Sequence, residues 1–125
     1  MAYEYDSENI FAKILRGEIP NTTVAESGHT LAFQDINPLT PTHILVIPKG
    51  AYVNFDHFGA DATDEEIVDF NRLVAKITRN IGIAEIAGGE GYRLITNAGA
   101  HGVQDVPHYH LHILGGRRIG RMISA

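Results

Sequence analysis

The chain has 125 residues, 44% of them apolar and 20% charged, and a net charge of −5. That length suits one well-buried core and is too short for two of ordinary size, while the composition excludes a disordered chain. There is no cysteine, so disulfides and thiolate metal sites are impossible, and the acidic balance argues against a nucleic acid partner.

No apolar run approaches the roughly 18 residues of a membrane span, so no membrane partner is expected. The first ten residues carry Glu4, Asp6 and Glu8 and lack the basic start of an export signal, which makes the cytoplasm the expected location. Charge is unevenly spread. Six acids and no Lys or Arg lie between Gly50 and Arg72, whereas Arg117, Arg118 and Arg121 stand near the end without an acid. The acidic stretch reads as a solvated face, and the basic end leaves room for a small anion.

Residues 7–16 predict a short helix, capped by Ser7, with Ile10, Phe11, Ile14 and Leu15 on one stripe. Gly17 and Pro20 stop it. Strand-like runs follow at 23–26, 29–35 and 42–48, separated by turn signals at Ser27-Gly28 and Asn37-Pro38. Thr63-Asp64-Glu65-Glu66 is a capping box. It opens a long helix whose apolar seam runs through Ile67, Phe70, Val74, Ile77 and Ile81 to a C-terminal Gly82. After a loop at 88–91, residues 92–97 and 106–114 predict two further strands, the last closed by Gly115-Gly116. Helix, three strands, helix, two strands is an α+β order, and the short early connections imply antiparallel pairing. One domain over 1–125 is expected, with 1–6 and 121–125 as frayed ends.

Three of the seven histidines fall within five residues, at His108, His110 and His112. On a strand they share one face, while Tyr109, Leu111 and Ile113 share the other and can anchor in the core. Imidazole, with an unperturbed pKa of about 6.5, is the side chain best suited to proton transfer or ligation near neutral pH. Two chemistries fit the spacing. One is a zinc site completed by His43 or His101. The other is nucleophilic attack by a neutral imidazole whose neighbours fix its tautomer and handle protons. His29 and His57 receive no role, and His101, on a glycine-flanked loop, is expected in solvent.

His108-Tyr109-His110-Leu111-His112-Ile113-Leu114 resembles the motif of the histidine triad family. The resemblance extends to residues 9–20, 31–38, 41–49, 95–99 and 102–104, and Gly115-Gly116-Arg117 is similar to the Hint branch, the nucleoside phosphoramidate hydrolases. It implies a five-stranded antiparallel sheet with two helices, two protomers pairing into a larger sheet, and purine nucleotide substrates such as nucleoside phosphoramidates, with no cofactor. By the same resemblance His110 is the nucleophile at the α-phosphorus, and His112 contacts the phosphate and serves the leaving group. His108 supports the strand face, and His43 buttresses the triad. Asn97 then lies near phosphate or ribose, Asp35 takes the ribose hydroxyls, and Ile10, Phe11, Ile14, Phe33 and Ile36 wall the base. The backbone N–H groups around Asp105 and Val106 are expected on phosphate oxygens.

The chain departs from the family at several points. Asn9 and Ala12 stand where many relatives carry a Cys-x-x-Cys zinc site. Asp105 replaces a hydroxyl residue beside the phosphate, where a carboxylate is repulsive. Val103 replaces a glycine and could narrow the approach. Residues 119–125 lack the aromatic and proline residues of some Hint tails. A zinc-dependent hydrolase, or a nucleotide-binding regulatory module with little turnover, remains the alternative.

Overall fold

The computed structural model describes residues 2–123. Five antiparallel strands form one sheet: β1 (Thr23–Glu26), β2 (Thr30–Gln34), β3 (Thr42–Pro48), β4 (Tyr92–Ile95) and β5 (Leu111–Gly115), in the order β1-β2-β3-β5-β4. β3 is central and alternates its side chains between two cores. Ile44 and Val46 face α3 (Asp64–Asn80), joining Ala32, Phe70, Leu73, Val74, Ile77, Tyr109 and Ile113. Leu45 and Ile47 face α1 (Ile10–Leu15), packing with Phe11, Ile14, Leu31 and Phe33. The α+β class and the five-stranded sheet are as the sequence predicted.

Several local expectations change. Asn9, not Ser7, caps α1, because its side chain accepts the Ala12 N–H at 2.9 Å. A third helix, α2 (Phe55–Asp61), precedes α3. Its residues carry too few apolar positions to show a period, yet Asn54 caps it and Phe58 is buried against Phe70 and Tyr109. The capping box of α3 forms as read from Thr63 and Glu66, and Gly82 follows the helix at φ 83°, a left-handed value suited to glycine. The α3 seam is spent on the chain's own sheet: Phe70, Val74 and Ile77 are buried and Ile81 is exposed. The acidic stretch is not wholly a solvated face either. Asp69 accepts from Ser27 Oγ (2.6 Å), Thr30 Oγ1 (2.8 Å) and the His29 N–H (3.1 Å), pinning α3 to the β1–β2 turn. Burial pushes its carboxyl upward, and these donors outweigh that and hold it below the usual range.

The histidine segment is the larger correction. A strand was expected over 106–114, but β5 begins only at Leu111. Its ladder to β3 starts at the Val46–Leu111 pair. Pro107 has no N–H to donate, and the Tyr109 N–H goes to the Tyr52 carbonyl at 2.7 Å instead. Thr96, just past β4, bonds the His110 carbonyl through its hydroxyl at 2.8 Å.

The N-terminal segment is tied down where fraying was expected: Tyr3 hydrogen-bonds Asp56 and stacks on His57, and Tyr5 reaches His108. The fraying expected of residue 1 and residues 124–125 lies outside the described residues. No helix among them is long and apolar enough to cross a membrane.

Candidate active site

A cleft of about 250 Å³ opens on the α1 side of the sheet. Its floor is a row of cross-strand neighbours, Phe33 on β2, Leu45 on β3 and His112 on β5. Of the expected residues, Ile10, Phe11, Ile14, Phe33, Asp35, Ile36, Asp105, Val106, His110 and His112 line it. Phe11, Ile14 and Phe33 also belong to the α1-side core, so wall and core are the same side chains, whereas Ile10 and Ile36 are exposed at the rim. Ile19, Pro20, Asn21, Gln34 and Leu45 complete the lining. Sequence reasoning missed them, because only the sheet register and the turn after α1 bring them there.

Two of the expected substrate-binding residues do not line the cleft, nor do His43 and His108. Asn97 lies beyond the end of β4 and is half-buried outside it. Val103 is 79% exposed on a turn at φ 55°. A β-branched residue is strained at that left-handed value, which gives a physical reason for the glycine the family resemblance put there. The loop behind it is shaped by Gln104, whose amide donates to the Val53 and Val106 carbonyls at 2.7 and 2.9 Å.

The four central histidines have distinct hydrogen-bonding duties. His108 is fully buried behind the cleft. Its Nε2 donates to the Pro48 carbonyl at 2.9 Å, leaving Nδ1 to accept from the Tyr5 hydroxyl at 2.6 Å. Burial first, with the neighbouring His110, pushes its pKa down to about 4. Both ring nitrogens are committed, so His108 is a strut holding the N-terminal segment, β3 and the triad together.

His110 is 3% exposed and packs edge-on against Phe11, ring centroids 4.9 Å apart. Its Nδ1 donates to the His108 carbonyl at 2.8 Å, so the lone pair is on Nε2 at the cleft. His43 is 2% exposed, and its Nδ1 accepts the Leu39 N–H at 3.1 Å. A main-chain amide can only donate, so the His43 proton must sit on Nε2. That Nε2–H meets His112 Nδ1 at 2.9 Å. His112 therefore carries its proton on Nε2. The outcome is two neighbouring rings, centroids 5.1 Å apart, one presenting a lone pair and the other an N–H. Burial, then His110 and His43, push the His112 pKa down to about 4, and burial lowers that of His43 against the opposing pull of Asp35.

Asp35 has two duties. Oδ1 accepts the Asn37 N–H at 2.8 Å, which closes the turn before Pro38. Oδ2 lies 3.4 Å from His43 Nε2. Among the described residues Asp35, His43 and His112 offer ligand atoms within 4.8 Å of one another. A metal there must take the position of the His43 Nε2 proton. A neutral His43 would then carry its proton on Nδ1, facing the Leu39 N–H, two donors against each other. His108 has no free nitrogen to offer, and Asn9 and Ala12 supply no sulfur. The donor set is ordered for protons rather than for zinc.

The Val106 N–H, expected on a phosphate oxygen, is held by Asp105 Oδ1 at 2.8 Å, and the same oxygen lies 3.4 Å from His110 Nε2. His101, expected in solvent, is exposed.

A HIT domain model matches residues 16–119. The chain belongs to the HIT family. Among its HIT relatives, the purine nucleoside phosphoramidase of Escherichia coli (strain K12) is 42% identical, over 94% of this chain and 94% of that protein. An uncharacterised 13.2 kDa HIT-like protein of Azospirillum brasilense is 54% identical over 99% of this chain and 98% of its own length. Among solved HIT structures, the HIT family hydrolase from Clostridium thermocellum superposes with a TM-score of 0.83 at 36% identity, over 95% of this chain and 99% of that one. A histidine triad protein from Clostridium difficile gives 0.80 at 36% identity, over 96% and 100%. The HIT family and its sheet are thus as the triad motif implied.

Proposed function

We propose that this HIT protein is a nucleotidyl hydrolase of the purine nucleoside phosphoramidase type, working through a covalent adduct on His110. One observation carries the reading: the His108 carbonyl, holding His110 Nδ1–H, leaves a lone pair on His110 Nε2, and the tautomer chain that starts at the Leu39 N–H leaves a proton on the neighbouring His112 Nε2. A displacement at phosphorus needs that pairing, a nucleophile and a proton donor. The similarity to the E. coli phosphoramidase supports the substrate class.

In the first step His110 Nε2 bonds to phosphorus and the phosphorus–nitrogen bond to the amine breaks. The amine leaves with the Nε2 proton of a doubly protonated His112, which returns that ring to its neutral form. The His108 carbonyl, already bonded to His110 Nδ1–H, stabilises the positive charge that develops on the ring. In the second step water attacks phosphorus, the bond to His110 breaks, and the water proton returns to His112. The products are the amine and a nucleoside monophosphate. The apolar wall of Phe11, Ile14 and Phe33 suits a base, and Asp35 at the edge suits the ribose hydroxyls. A cytoplasmic enzyme without nucleic acid or membrane partners fits the composition. We also propose a homodimer paired through β4, one edge of the sheet, where Tyr92 and Leu94 are exposed.

His110→Ala tests the reading. kcat/KM for an adenosine phosphoramidate should fall by at least about 10³-fold, since a lost nucleophile costs several kcal/mol of transition-state stabilisation. Rapid quenching of the wild-type enzyme should trap one acid-labile nucleotide on the His110 peptide. Net inversion at phosphorus with no trappable adduct would make His110 a general base, and the covalent mechanism would be wrong.

A further inference from the structure

Two carboxylates line the cleft, and they are placed differently. Asp35 is occupied by the Asn37 N–H and by His43, behind His112. Asp105 stands in front. One of its oxygens accepts the Val106 N–H at 2.8 Å and lies 3.4 Å from His110 Nε2. A reacting phosphorus must come within roughly 3–3.5 Å of that nitrogen. The carboxylate thus occupies the volume a phosphoryl group would enter, and it holds a main-chain donor that a phosphoryl oxygen would use. Its field reaches His112 as well. Yet the side chain is 78% exposed, so nothing bulky keeps it from swinging out.

We propose that Asp105 is a built-in competitor for the anion subsite, and that it makes the cleft discriminate by charge at phosphorus. A singly charged phosphorus centre displaces the carboxylate and stays, whereas a doubly charged phosphate monoester is disfavoured. This deepens the phosphoramidase reading and rests on it for the identity of the ligand. A phosphoramidate substrate carries one negative charge on phosphorus. The monoester product carries close to two above its second pKa of about 6. Asp105 therefore admits the substrate and opposes retention of the product. At a separation of roughly 5 Å in a water-like dielectric, each unit of ligand charge meets a penalty of about fourfold in affinity, hence about fifteenfold for a dianion. The penalty shrinks with added salt.

The test compares wild type with Asp105→Asn, which keeps an oxygen for the Val106 N–H and removes the charge. Calorimetry with AMP (dianion), adenosine 5′-methyl phosphate (monoanion) and adenosine (neutral) reads the discrimination. Asp105→Asn should tighten AMP by about fifteenfold and the methyl ester by about fourfold, and leave adenosine unchanged. Asp105→Glu should restore the wild-type ratio. Methyl phosphate against dimethyl phosphate, followed by NMR on the histidine rings, gives the same comparison without a base. If adenosine fails to bind but the base-free pair still discriminates through Asp105, the nucleoside reading fails and the charge filter stands. An unchanged dianion-to-monoanion ratio in Asp105→Asn, in both pairs, overturns the proposal.

Discussion

Acid should weaken this fold through one buried ring, His108. In the folded protein its pKa is pushed to about 4, against 6.5 for an unperturbed histidine. A depressed histidine pKa means that the unfolded chain binds the proton more readily. Stability is therefore full above the unfolded value, falls as pH drops below about 6.5, and stops falling near pH 4. At about pH 5 the span traversed is roughly 1.5 units, or about 2 kcal/mol at 1.36 kcal/mol per unit. The structural cause is definite. A second proton would put a charge on a ring with no water-exposed surface, beside His110. Urea denaturation of wild type and His108→Gln at about pH 7.5 and about pH 5, at one protein concentration, isolates the effect. The variant should be less stable at neutral pH. Its deficit should shrink by about 2 kcal/mol at the lower pH, because glutamine does not titrate. His43 and His112 titrate in both proteins and cancel in the difference. A deficit identical at the two pH values would refute the assignment of His108 as a buried neutral strut.

His112→Ala should slow turnover most for substrates with strongly basic leaving amines, and the defect should narrow for arylamine leaving groups that depart unprotonated; an equal loss across the series would remove His112 as proton donor. Asp35→Asn keeps an oxygen for the Asn37 N–H, so it should raise KM for ribonucleotides with little loss of stability, whereas Asp35→Ala should lower the melting temperature too. A matched KM rise for a dideoxy substrate would show that the carboxylate does not read the ribose. Val103→Gly should stabilise the fold by about 1 kcal/mol, since relief of a left-handed valine exceeds glycine's entropy cost; a drop in the urea midpoint would contradict the strain at φ 55°.

The sheet strands, α3 and the triad were all legible along the chain. Alternating apolar runs, a capping box and turn residues are local signals, and a strand's period of two places Leu111 and Ile113 on the core side. The catalytic candidates were legible for the same reason, because three imidazoles in alternation are unusual in one dimension. The helix over residues 55–61 left no such trace: one buried ring, Phe58, fixes it from across the core. The start of the histidine strand was equally hidden, since the Tyr109 N–H goes to the distant Tyr52 carbonyl and the ladder to β3 begins only at Leu111. Only tertiary structure decided what each histidine does. A tautomer depends on which donor or acceptor meets each ring nitrogen. The Leu39 amide, the Pro48 carbonyl and the Tyr5 hydroxyl are 4, 60 and 103 residues from the rings they instruct. The carboxylate of Asp105 was visible as a departure from the family, but its place in front of His110 was not. That place follows from the turn that folds Val106 back over the cleft, a conformation held by Gln104 bonds to a distant carbonyl.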